Sequence, residues 1–193
     1  MAWTTPGTAV AGEVLTAAWL NTNVRDNTQH LYDTMGLVLI DTETFTSSSA
    51  VTFDGVFTSE YDNYRLVGAT TGSTPSPLDG KLRTAGVDNS NNNYYQQYIV
   101  GSSTSVYSAR SGPETTGRFF YSDLFSWFAF DLMSPNLSAR TGWVGSVQRG
   151  GAVSWDLVIR GGSFADTTVF DGIKFAPASG TITGKMSIYG YRV

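Results

Sequence analysis

Along most of this chain, apolar positions either alternate with polar ones or gather into short aromatic and β-branched runs. These runs are Leu37–Thr46, Ala50–Phe57, Tyr64–Thr71, Gly80–Val87, Asn93–Gly101, Arg118–Met133, Thr141–Gln148, Ala152–Gly162, Asp171–Ala178 and Gly184–Val193. A period of two puts every second side chain on one face, so each run is predicted to be a strand, and the Gly, Ser, Asn and Asp between them supply turns. No amphipathic helix separates the runs, which excludes a parallel α/β sheet. The expected fold class is mainly β, an antiparallel β-sandwich of jelly-roll type over residues 37–193. Two segments rhyme, Val51–Phe57 and Thr168–Phe175, each carrying Phe-Asp-Gly; both are read as turns entering sandwich strands.

The first 36 residues follow a different pattern. Thr16 suits a helix N-cap, Leu15 and Leu20 stand at the two positions of a hydrophobic staple, and Gly36 is a natural stop. A helix is therefore predicted over Ala17–Thr34. Within it Ala17, Leu20, Val24, Asn27 and Leu31 recur at alternating intervals of three and four, a short heptad seam with one polar member. A seam needs a partner, and the chain has no second amphipathic helix. Either the β domain or another copy of the same helix has to cover it. The segment before it, Trp3–Val14, is expected to be an extended arm, because Pro6 biases its neighbour away from helix and Gly7 and Gly12 loosen the rest.

Composition narrows the function classes. At 193 residues the chain suits one domain and an appendage. Lys and Arg number 12 against 16 Asp and Glu, a balance with no footprint for a nucleic-acid backbone or an anionic membrane. Charged residues are 15% of the chain, against about 25% in an average soluble domain, so the surface is rich in hydroxyls and amides. Cysteine is absent, which removes disulfides, thiolate nucleophiles and Cys-type zinc sites. No apolar run approaches the ~18 residues of a membrane span, and the N-terminus lacks a secretory signal pattern.

Catalytic chemistry is sparse. The single histidine, His30, lies on the predicted helix, which leaves no His cluster for a metal and no other base for a nucleophilic triad. The glutamates are Glu13, Glu43, Glu60 and Glu114, while Asp123, Asp131 and Asp156 fall in strand patterns; nothing in the spacing fixes a pair flanking a glycosidic bond. "DNSNNNYYQQYI" (Asp88–Ile99) starts like a calcium loop, but Asn93 stands where glycine is needed and Ile99 where glutamate is needed. The expectation is a protein without enzymatic activity, metal or cofactor. For a ligand, the best candidates are Asn91, Asn92, Asn93, Tyr94 and Tyr95, amides and rings on a loop entering a strand. Alternation allows only one of the two tyrosines to face outward.

"TTPGTAVAGEVLTAAWLNTNVRDN" (Thr4–Asn27) resembles the N-terminal segment of many virion proteins of tailed bacteriophages, especially minor tail and tail-fibre proteins of phages infecting actinobacteria. Thr4-Thr5-Pro6, Ala11-Gly12-Glu13, Thr16-Ala17, Leu20-Asn21 and Arg25-Asp26-Asn27 match that pattern, whereas Gly7–Val10 lack its basic and aromatic residues. "FDGVFTSEYDNYRLVG" (Phe53–Gly68) and "FDGIKFAPASGTITGKMSIYGYRV" (Phe170–Val193) look like phage fibre and head-fibre domains. The resemblance implies a virion protein released by lysis. Residues 1–36 would anchor and oligomerise, with docking to other virion proteins through Trp3 and Pro6. Such fibres are usually trimers, with Leu20, Val24, Asn27 and Leu31 near the common axis. Residues 37–193 would be displayed as a tail-fibre or receptor-binding module for a bacterial surface glycan. A capsid decoration or head-fibre protein is the alternative, and a glycan depolymerase ranks third.

Overall fold

The computed structural model describes residues 3–8, 10–12, 14–34, 36–122, 124–150 and 155–192. It divides into two compact units, residues 1–37 with 192–193 and residues 38–191.

In the first unit the chain is helical from Ala17 to Thr34, as the pattern predicts, but not as one regular α-helix. Helix α1 (Ala17–Leu20) passes into a π-helical segment (Asn21–Asp26) and then into α2 (Asn27–Thr34). Thr16 is the N-cap, its hydroxyl accepting from the Trp19 amide at 3.2 Å. Gly36 adopts φ 72°, a left-handed conformation that stops the helix.

The second unit is an antiparallel sandwich. Its strands are β1 (Leu37–Ser48), β2 (Val51–Phe53), β3 (Asn63–Gly72), β4 (Ser76–Thr84), β5 (Val87–Asp88), β6 (Tyr94–Ser102), β7 (Ser105–Glu114), β8 (Gly117–Ser122), β9 (Phe125–Met133), β10 (Thr141–Gly150), β11 (Trp155–Phe164), β12 (Gly172–Pro177) and β13 (Ile182–Tyr191). The larger sheet has eight strands in the order β1-β13-β3-β9-β10-β11-β6-β7. The smaller sheet runs β2-β12-β4-β5, with β8 also on β4. The rhyming segments meet here, because β2 and β12 pair with Phe53 opposite Ile173 and Val51 opposite Phe175.

Three strand expectations need correction. The run Arg118–Met133 is not one strand: β8 and β9 belong to different sheets, so Phe119 and Phe120 serve one inward face and Phe128 and Phe130 the other. Gly80–Val87 breaks at Ala85 and Gly86, whose φ values of 50° and 78° turn the chain between β4 and β5. Strand β7 was not expected at all. Ser105–Glu114 is exposed at every residue but one, and as the edge strand beyond β6 it has no apolar face to betray it.

The core lies between the sheets and is dominated by rings. Phe119 of β8 stands in its middle, 5.4 Å from Phe130, 5.4 Å from Trp143 and 5.1 Å from Phe175 between centroids. Edge-to-face and stacked pairs of this kind add to the area they bury. Two glycines make the room. A Cβ on Gly80 would stand 2.4 Å from the Phe119 ring, and one on Gly162 2.3 Å from the Trp143 ring. Truncating Phe119 to alanine is expected to cost about 3–5 kcal/mol in urea denaturation, whereas Val106→Ala, on the exposed edge strand, should change stability by less than about 0.5 kcal/mol.

Candidate functional site

The residues expected to anchor and oligomerise lie on the helix and the arm before it. Leu20, Val24 and Leu31 are exposed, but Asn27 is buried. Its side chain is bonded to the arm of its own chain, accepting from the Thr4 amide at 3.0 Å and donating to the Thr4 carbonyl at 2.7 Å. One turn earlier, Asn23 accepts from the Gly7 amide at 2.6 Å and donates to the Trp19 carbonyl at 3.0 Å. Asn27 thus does not lie with the exposed apolar residues. The heptad reading assumed α-helical winding throughout, and i→i+5 bonding over Asn21–Asp26 turns the later residues away from that register. Among its described residues the arm forms no helix or strand, turns at Ala11 and Gly12, and is pinned to the helix at Thr4 and Gly7. Trp3 and Pro6 are exposed, and the Trp3 ring stands 6.2 Å from that of His30.

In the sandwich, Tyr94 and Tyr95 alternate as expected. Tyr94 is 1% exposed and Tyr95 41%. The Tyr94 hydroxyl accepts from the Leu82 amide at 3.0 Å and donates to the Asn89 carbonyl at 3.2 Å, so Tyr94 ties the loop to β4. Asn91 and Asn92 are exposed, and Asn93 is half-buried. The loop is shaped by an Asx turn, with the Asn91 amide donating to Asn89 Oδ1 at 2.9 Å. Tyr95 lines an open groove of about 390 Å³ with Gln97, Arg110 and Ser163, but the loop asparagines do not. The proposed ligand cluster therefore separates into a core tyrosine, a solvated turn and one exposed ring.

Sequence reasoning missed a larger feature on the outward face of the eight-stranded sheet. Alternation from the buried Phe128, Val147 and Val158 turns Trp127 of β9, Val144 of β10 and Leu157 and Ile159 of β11 away from the core, where all four stand exposed. Ile159 pairs directly with Ile99 of β6. At one end of this apolar band Gly150 lies between Phe125 and Trp155 in the cross-strand row. Having no side chain, it lets the two rings approach to 4.5 Å. Trp127 joins them, 5.0 Å from Phe125 and 5.9 Å from Trp155. Beside the cluster runs an open groove of about 470 Å³, lined by Phe125, Trp127, Thr44, Thr46, Thr183 and Lys185 among others. The signal is present in the alternation of "FSWFAF" and "WDLVIR", but which face of a strand meets the core depends on its neighbours in the sheet.

Ionisable groups are mostly committed to the fold. Asp131 is 3.5 Å from Arg65 and accepts from the Tyr191 hydroxyl at 2.5 Å; Asp156 pairs with Arg149 at 2.9 Å. Glu13 and Asp123 lie outside the described residues. Among the described residues no three His, Cys, Asp or Glu side chains are grouped to hold a metal, and no helix is long and apolar enough to cross a membrane. No family model, no curated protein and no solved structure is significantly similar to this chain.

Burial pushes the Tyr94 hydroxyl up to about 12, partly offset by its bond from Leu82. The folded protein thus holds this proton more tightly than the unfolded chain, whose tyrosine titrates near 10. Stability from this group is complete below pH 10 and is lost as pH rises from about 10 to 12, by about 3 kcal/mol. Chemical denaturation across that window is expected to show the loss, and Tyr94→Phe should remove this contribution to it while lowering stability at neutral pH by about 1–3 kcal/mol.

Proposed function

We propose that this chain is a structural, non-enzymatic protein of a tailed-phage particle, a tail-fibre or receptor-binding module that attaches to a bacterial surface glycan. The observation that carries this reading is the exposed Phe125–Trp127–Trp155 cluster beside a threonine-lined groove. Sugar rings present an apolar C–H face and a rim of hydroxyls. Exposed tryptophans can cover the face, while threonine hydroxyls and the Lys185 ammonium meet the rim. The likeness of Thr4–Asn27 to phage virion segments supplies the setting. Under this reading the glycan lies on the outward sheet face and not on the Asn91–Asn93 turn.

Two experiments test it. Trp127→Ala with Trp155→Ala should reduce adsorption to host cells at least about tenfold while leaving the far-ultraviolet spectrum and melting unchanged within about 1 kcal/mol, because both side chains are half exposed; unchanged adsorption removes the site. Imaging of whole particles should place the protein on the tail, and density confined to the head would transfer the same build to a capsid decoration or head-fibre protein.

Assembly is the second part of the proposal. Leu20, Val24 and Leu31 are the exposed apolar residues that a homotrimer would bury around its axis, each contributing roughly 1.5–3 kcal/mol. Asn27, held by Thr4, would fix the arm for docking to other virion proteins. Light scattering is expected to give a trimer for the wild type and a monomer for Leu20→Asp with Val24→Asp. A monomeric wild type, or a trimer that survives both substitutions, would refute it.

A further inference from the structure

The eight-stranded sheet is wider than its partner, and β8, at one edge of the smaller sheet, packs against the inward faces of β11 and β6. The small sheet ends at β8, so a cavity of about 270 Å³ opens there, lined by Tyr98, Val100, Tyr107, Tyr121, Arg149 and Arg160 among others. Arg160 is 3% exposed. Its guanidinium carbon stands 4.4 Å over the ring of Tyr98, its cross-strand neighbour on β6. Among the described residues it has no ion pair and no hydrogen bond, and its Nε is buried without a partner. Arg149 lies 4.6 Å over the Tyr121 ring and pairs with Asp156 through one terminal nitrogen, but its Nε is also buried and unpartnered. Arg118, on β8, is bonded to Asp79 at 3.1 Å.

A buried cation without an acceptor is a costly arrangement. The tyrosine ring offsets part of the cost through its negative face, but a ring engages the face of a guanidinium and leaves the N–H groups on its edge without partners. Burial, with the nearby positive charges of Arg118 and Arg149, lowers Arg160 to about 10, which still leaves it charged at neutral pH. Two arginines presenting unused N–H donors at one cavity match what planar or tetrahedral oxyanions require.

We propose that this cavity binds an anionic group about the size of one sugar, a carboxylate or phosphate whose oxygens accept from Arg160 and Arg149 while the tyrosine rings flank its less polar part. A uronic acid and a sugar or polyol phosphate share this chemistry. The cavity lies on the opposite face of the sheet from the tryptophan cluster, so it stands or falls independently of what that cluster binds.

Calorimetric titration of the full chain with sodium glucuronate, glycerol 1-phosphate and glucose tests the proposal. Saturable binding of at least one of the two anions is expected, weakening as chloride is raised, with no binding of glucose; the anion that binds identifies the group. Arg160→Met should weaken that binding at least about tenfold without lowering the melting temperature of the unliganded protein, since it removes an unpaired buried charge. Arg160→Lys should also weaken it, because an ammonium lacks the planar fork. Absence of saturable anion binding to the wild type, equal binding of glucose, or an Arg160→Met protein that binds as the wild type does would each overturn the site. Should Arg160→Met fail to fold, the packing role alone accounts for the residue unless the wild-type titration shows anion-selective binding, which then decides.

Discussion

Two sheets of unequal width have to share one core, and most of what distinguishes this molecule follows from that mismatch. Where the sheets overlap, large rings fill the gap, with Phe119 touching Trp143, Phe130 and Phe175 and glycines at 80 and 162 leaving space for them. Interiors pack at crystal-like density, so bulk added on one strand has to be matched by its removal from a facing one. At the edge where β8 meets β11 and β6, tyrosine and arginine join phenylalanine and valine at the inward-facing positions. The same alternation that buries Val158 directs Arg160 into the cavity beside β8.

The outward face of the wide sheet shows the complementary effect. With few charges available, the chain leaves Trp127, Trp155, Leu157, Ile159 and Ile99 to meet solvent. Contiguous apolar surface of this kind on a sheet face marks an interaction surface more often than a tolerated exposure. Gly150 turns three separate rings into a cluster simply by being absent between them. The hydroxyls of Thr44, Thr46 and Thr183 sit alongside, so one region offers both apolar and neutral polar contacts.

Much of the fold was legible because period-two patterning is a strong signal wherever one face is buried. Strands β1, β3, β6, β10, β12 and β13 fall close to the runs that predict them. Legibility failed where burial was absent or doubled. Strand β7 has no buried face to generate a pattern, and β8 and β9 are both inward-facing, so together they imitate one long strand. The alternation of Tyr94 and Tyr95 was readable from local geometry. The fate of Asn27 was not, because its partner Thr4 lies 23 residues away and the π-helical segment between them carries no distinct composition. The aromatic cluster and the arginine cavity both depend on which strands become neighbours, and pairwise order in a sheet is not written in any one strand.

The position of β13 has a consequence for synthesis. Strand β13 lies between β1 and β3 in the wide sheet, although nine strands separate it from β3 along the chain. Until Ile182–Tyr191 emerges, β1 has no partner along that edge and one side of β3 is unpaired. Loop closure over such separations is slow, and open strand edges recruit other chains while they wait. The wide sheet therefore stays incomplete until β13 has been made, and its closing step is the insertion of one strand into a gap held open by two others.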